Sequence, residues 1–90
     1  MASLEFLISG KVQGVYFRLH TKQEADKLGL SGWVRNTEDG KVTGCAYGDR
    51  EVLKKLAIWL RKGPSSARVK KLEINWGKAK TQAEDFEIIK

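Results

Sequence analysis

The sequence predicts an α+β fold in which one antiparallel sheet carries two helices on a single face. Three observations predict it: stretches with apolar residues at alternate positions, two stretches with apolar residues at helical spacing, and the order in which they occur. Leu4, Phe6 and Ile8 alternate with Glu5, Leu7 and Ser9, the period of two of a strand that ends at Gly10. Beyond a glycine-punctuated segment, the polar run from Phe17 to Leu28 puts Phe17, Thr21, Ala25 and Leu28 on one helical face. Gly29 suits the left-handed residue that closes such a helix. Residues 32–36 and 41–47 read as strands joined by the turn Thr37-Glu38-Asp39-Gly40, hence as an antiparallel hairpin. Asp49 is a good N-cap for a second helix, with Val52, Leu53, Leu56, Trp59 and Leu60 as its apolar stripe and Gly63-Pro64 as its stop. Leu72, Ile74 and Trp76 alternate in a fourth strand. A polar connection over residues 77–84 leads to a short final strand marked by Phe86, Ile88 and Ile89.

The order is strand, helix, strand, strand, helix, strand, with one short extra C-terminal strand. That is the ferredoxin-like split βαββαβ arrangement, an antiparallel sheet with both helices packed on one face. Right-handed crossovers give its core the strand order 4-1-3-2. Residues 1–90 are expected to form a single domain, because chains of this length rarely divide into two cores. The layout assigns no activity, since enzymes, metal carriers and RNA-binding modules share it.

The chain is 41% hydrophobic and 31% charged, ordinary for a globular chain and too apolar for disorder. No apolar run approaches the roughly 18 residues of a membrane span. Residues 1–9 lack the basic start and apolar centre of a signal peptide. A lone cysteine, Cys45, forms no internal disulfide, and with a lone histidine, His20, it builds no zinc cluster. The expectation is a cytoplasmic chain with no membrane contact and no bound metal. Lys and Arg number 17 against 11 Asp and Glu, a net charge of +6, concentrated between Arg50 and Lys71. Such a field draws anions, from nucleic acid to small phosphorylated metabolites. As local structure it reads as a solvated helix face followed by a basic strand edge.

Chemistry concentrates in the segment Gly10-Lys11-Val12-Gln13-Gly14-Val15, between the first strand and the first helix. Its glycines let several backbone N–H groups face one point, and the positive end of the helix adds to them, which suits a phosphate. Arg18, at the helix start, adds a planar fork that grips two phosphate oxygens. The Gly-Lys-Ser/Thr ending of a nucleotide P-loop is absent, as is the dinucleotide G-x-G-x-x-G pattern. On these residues alone a structural turn explains the glycines equally well.

The literal residues go further. Ile8-Ser9-Gly10-Lys11-Val12-Gln13-Gly14-Val15-Tyr16-Phe17-Arg18 resembles the first signature of the acylphosphatase family, with its core G-x-V-Q-G-V-x-F-R. Gly32-Trp33-Val34-Arg35-Asn36, with Gly40, Val42 and Gly48, resembles the second. Gly63-Pro64 and the closing Asp85-Phe86-Glu87-Ile88 extend the resemblance to essentially the whole chain. It implies an enzyme that hydrolyses acyl phosphates, R–CO–O–PO3, to a carboxylate and inorganic phosphate. It implies that Arg18 holds the phosphoryl group, that Asn36 positions the attacking water, and that backbone amides of Gln13, Gly14, Val15, Tyr16, Phe17 and Arg18 complete the cradle. It implies no cofactor and no metal, a monomer, and inorganic phosphate as product and competitive inhibitor. The leaving acid has a pKa of roughly 4–5, comparable to a Glu side chain, so its expulsion needs no general acid. Asn36 accepts no proton at neutral pH but can orient a water, and in the family reading the substrate phosphate takes the proton.

Other readings are weaker. His20 stands two residues beyond Arg18, about 200° around a helix, and reads as a surface histidine rather than a base. Glu38 and Asp39 read as turn formers. A cysteine phosphatase needs Cys, five residues and Arg, whereas the residue six beyond Cys45 is Glu51, so Cys45 reads as strand packing. Trp59 falls on the apolar helix stripe, while Trp33 and Trp76 are open to a stacking role. The alternatives from another class are a phosphate-binding module without turnover and a non-catalytic RNA-binding module. The latter's third-strand motif is missing from residues 41–47, which hold one aromatic side chain, Tyr47, so no specific nucleic-acid partner is expected.

Overall fold

A computed structural model describes residues 1–79 and 85–89. The elements run β1 (Ala2–Lys11), α1 (Phe17–Lys27), β2 (Ser31–Asn36), β3 (Val42–Gly48), α2 (Arg50–Lys62), β4 (Arg68–Lys78) and β5 (Phe86–Ile89). The strands form one sheet in the order β4-β1-β3-β2-β5, so the expected core order 4-1-3-2 is present and the extra strand lies beside β2.

The alternation in β1 does what a period of two dictates. Leu4, Phe6 and Ile8 are buried, opposite Trp76, Ile74 and Leu72 on one side and Ala46, Gly44 and Val42 on the other. Both helices cover this face. Leu53, Leu56 and Leu60 of α2 and Phe17 and Ala25 of α1 join Val34, Val42, Ala46 and Phe86 in a single buried cluster. Each buried leucine contributes about 1.5–3 kcal/mol relative to exposure. The thin stripe of α1 is nevertheless sufficient, because Phe17, Thr21 and Ala25 are all buried and Thr21 turns its hydroxyl back to the Phe17 carbonyl at 2.8 Å.

Two expectations need correction. The sheet is mixed rather than wholly antiparallel, because β5 pairs parallel with β2. The reason is directional: β4 runs against β1 and β2, so a strand that reverses after β4 runs with β2 when it reaches that edge. Secondly, β4 begins at Arg68 and ends at Lys78, well beyond the Leu72–Trp76 alternation at both ends. Its basic start carries no apolar signal because an edge strand buries little; main-chain pairing with β1, down to Lys11 opposite Arg68, holds it in place. The register shifts between Ser9 and Gly10, where φ is +129° and a Cβ on Gly10 would collide with the Arg68 carbonyl. Of the polar connection expected over 77–84, residues 77 and 78 belong to β4, and residues 80–84 lie outside the described residues.

Trp33 and Trp76 are half-buried, and each lies under an arginine, Arg35 at 5.9 Å and Arg50 at 4.3 Å from the ring centre. One face of each ring is therefore engaged within the protein. Trp59 is also half-buried, at the rim of the core with its ring 5.8 Å from that of Phe17. Among the described residues no helix is long and apolar enough to cross a membrane.

Candidate active site

The segment from Val12 to Arg18 is a short bridge pinned at two buried anchors. Val12 leaves the sheet with 1% of its surface exposed, and Phe17 opens α1 at the same value. Between them the backbone changes hand. Gly14 has φ of +74° and Tyr16, the N-cap of α1, has φ of +58°, while Val15 between them is not left-handed. Alternation of this kind turns successive N–H groups toward one side and forms an anion-binding concavity. No side chain caps the helix. His20 is the first residue whose N–H is taken up, by the Tyr16 carbonyl at 3.0 Å, so the amides of Phe17 and Arg18 have no partner within α1.

Arg18 is the second residue of α1, half-buried, and forms no ion pair among the described residues. Asn36 closes β2, where it faces Val42 across the hairpin. Its Oδ1 is buried and accepts no hydrogen bond from the described residues. An acceptor removed from bulk water and left unpaired costs about 1–3 kcal/mol. Gly14, Tyr16, Phe17, Arg18 and Asn36, with Val12, line one cleft of about 250 Å3. The two side chains singled out from the sequence thus meet in one cavity, although they come from different elements.

Gln13 and Val15 do not line it. The Gln13 side chain is turned toward the hairpin, and its Nε2 donates to the carbonyls of Thr37 and Lys41, both at 2.9 Å. The Val15 carbonyl accepts from Ser66 Oγ at 3.2 Å. His20 is half-buried on α1 and does not line the cleft. Glu38 and Asp39 lie in the hairpin turn. There Asp39 accepts from Thr37 Oγ1 and pairs with Lys41 Nζ at 3.5 Å. That hydrogen bond, above all, holds the Asp39 carboxyl below its ordinary range. Cys45 is buried in β3, and burial pushes its thiol above the ordinary value, the opposite of what a nucleophilic thiolate needs. Among the described residues no three His, Cys, Asp or Glu side chains stand together as metal ligands would.

Residues 4–88 match the family model for Acylphosphatase. The chain belongs to the acylphosphatase family. An acylphosphatase of Roseiflexus sp. (strain RS-1) is 43% identical over 89 residues, covering 99% of this chain and 96% of that one. An acylphosphatase of Pelotomaculum thermopropionicum is 47% identical over 75 residues, covering 83% and 82%. The crystal structure of acylphosphatase from Bacillus subtilis superposes over the whole of both chains with a TM-score of 0.96 at 30% identity. The α+β fold and the acylphosphatase hydrolase class expected from the sequence are both borne out.

Within this acylphosphatase fold, what sequence reasoning missed is how the loop is held. The Gln13 clamp spans 24 and 28 positions, and the Ser66 contact spans 51. No periodicity or spacing reports contacts so distant along the chain. Val12, read from the sequence only as a member of the glycine segment and of the first signature, proves to be both an anchor and a wall of the cleft.

Proposed function

We propose that this chain hydrolyses acyl phosphates by direct attack of water on phosphorus. The phosphoryl group lies against the backbone amides of Gly14, Tyr16, Phe17 and Arg18, the loop residues that line the cleft, with the Arg18 guanidinium across two of its oxygens. Asn36 accepts a hydrogen bond from the attacking water at Oδ1 and leaves an oxygen lone pair directed at phosphorus. As the new P–O bond forms, the bond to the acyl oxygen breaks and its electron pair leaves with the carboxylate. The water proton passes to a phosphate oxygen. What needs stabilising is charge on the equatorial oxygens, and fixed N–H donors with a guanidinium meet that need. The carboxylate is a good enough leaving group to go without an acid.

The observation that carries this reading is the single cleft in which Arg18, free of any carboxylate among the described residues, faces the same space as Asn36 with its unpaired Oδ1. The reading asks for no metal or cofactor. It has the chain working as a monomer in the cytoplasm, with inorganic phosphate as product and competitive inhibitor. Hydrolysis of benzoyl phosphate, followed by its ultraviolet absorbance, tests it. Turnover should survive EDTA and be competitively inhibited by inorganic phosphate. A folded protein that leaves benzoyl phosphate at its buffer rate of decay would show the cradle to be a binding site without chemistry.

A further inference from the structure

Tyr16 is poorly explained by the fold. It occupies the N-cap of α1, a position that favours Ser, Thr, Asp or Asn, yet it makes no side-chain cap hydrogen bond. Its backbone is left-handed, with φ of +58° and ψ of +28°, and among the described residues it is the one non-glycine residue with positive φ. For a bulky side chain that conformation is sterically unfavourable. The side chain takes no place in the core either: at 76% exposure it is the most exposed of the large apolar side chains among the described residues. Glycine or asparagine would serve the backbone better, and a polar residue would serve the surface better. The loop thus holds an aromatic ring out in water by a fixed, strained turn between the two buried anchors Val12 and Phe17.

Tyr16 lines the cleft beside Arg18 and Asn36. The other walls offer the organic part of a substrate little to lie against. Val12 and Phe17 are each 1% exposed, Gly14 has no side chain, and Arg18 and Asn36 present polar groups. We infer that Tyr16 selects the acyl group. Its ring is the apolar wall on which the acyl portion rests, and it favours acyl phosphates whose acyl group is flat and apolar, aromatic acids foremost. This rests on the acyl-phosphate reading above and adds the substrate class to it. The offset contact of two aromatic systems supplies the preference, while the phosphoryl group is held by the cradle whatever the acyl group is.

The test is a comparison of kcat/KM for benzoyl phosphate and acetyl phosphate in the wild-type chain, Tyr16→Gly and Tyr16→Phe. The readout is the benzoyl-to-acetyl ratio of each variant relative to wild type, which removes the two substrates' intrinsic difference in reactivity. Glycine suits the left-handed backbone, so the loop keeps its shape when the ring is removed. The ratio should fall roughly fivefold to tenfold in Tyr16→Gly, the value of one aromatic contact, and stay within about twofold in Tyr16→Phe. A ratio unchanged in Tyr16→Gly, with both substrates losing in parallel, would show a purely structural residue and overturn the inference. A ratio lost equally in Tyr16→Phe would move the selection to the hydroxyl and overturn it as well. Wild-type protein that hydrolyses neither substrate would overturn the acyl-phosphate reading itself, and this inference with it.

Discussion

Arg18 stands at the second position of α1 and Asn36 at the end of β2, so the backbone of each belongs to a regular element. Their chemistry separates them. A guanidinium that grips phosphoryl oxygens acts in both the bound and the reacting state, whereas an amide that aims a water acts only on the way to reaction. Arg18→Ala should therefore lose phosphate binding and turnover together. Asn36→Ala should keep the inhibition constant of inorganic phosphate within a few fold and lose roughly 100-fold or more in kcat. Equal loss of phosphate affinity in the two variants would refute this division. At this scale the two side chains were readable as residue types at motif spacing. The strain at Tyr16 was not, because a left-handed φ leaves no trace in residue identity unless the residue is glycine or asparagine.

Among elements, the loop before α1 and the β2–β3 hairpin form one working unit, and Gln13 is what joins them. Its two hydrogen bonds to main-chain carbonyls are worth about 1 kcal/mol each, and their larger effect is geometric. Arg18 stands on one side of this joint and Asn36 on the other. Gln13→Leu should cost about 1–3 kcal/mol of stability in urea unfolding. It should also lower kcat by tenfold or more while phosphate affinity changes by only a few fold, since small displacements of a positioned water are expensive. A variant that is less stable but retains full kcat would reduce Gln13 to a packing residue. The elements themselves were largely legible, because the buried residues of α2 and β1 recur at periods of 3.6 and 2. The ends of β4 were not, since pairing with β1 rather than burial sets them, and pairing leaves no apolar signature.

For the whole molecule, the +6 charge acquires a place it did not have as a count. The segment after α2 passes against the cradle: Ser66 bonds Val15, and a Cβ on Gly63 would stand 2.8 Å from the Phe17 ring. Arg61, Lys62 and Arg68, all exposed, lead into and out of that passage. An anionic substrate should be steered toward the site by this field. Raising a chloride salt from about 0.01 M to 1 M should lower kcat/KM several-fold and leave kcat nearly unchanged, because screening acts on approach and not on the bound complex. Salt-independent kcat/KM would mean that the charge is only a solvated surface. By itself the sequence determined the elements, the family, and the two side chains that meet in the cleft, because all of these are written in local period and literal motif. Tertiary structure alone decided the parallel seat of β5, the long-range clamp of Gln13, the unpaired oxygen of Asn36 and the exposed ring of Tyr16. Each depends on which distant groups are brought together or kept apart, and a linear pattern carries no record of that.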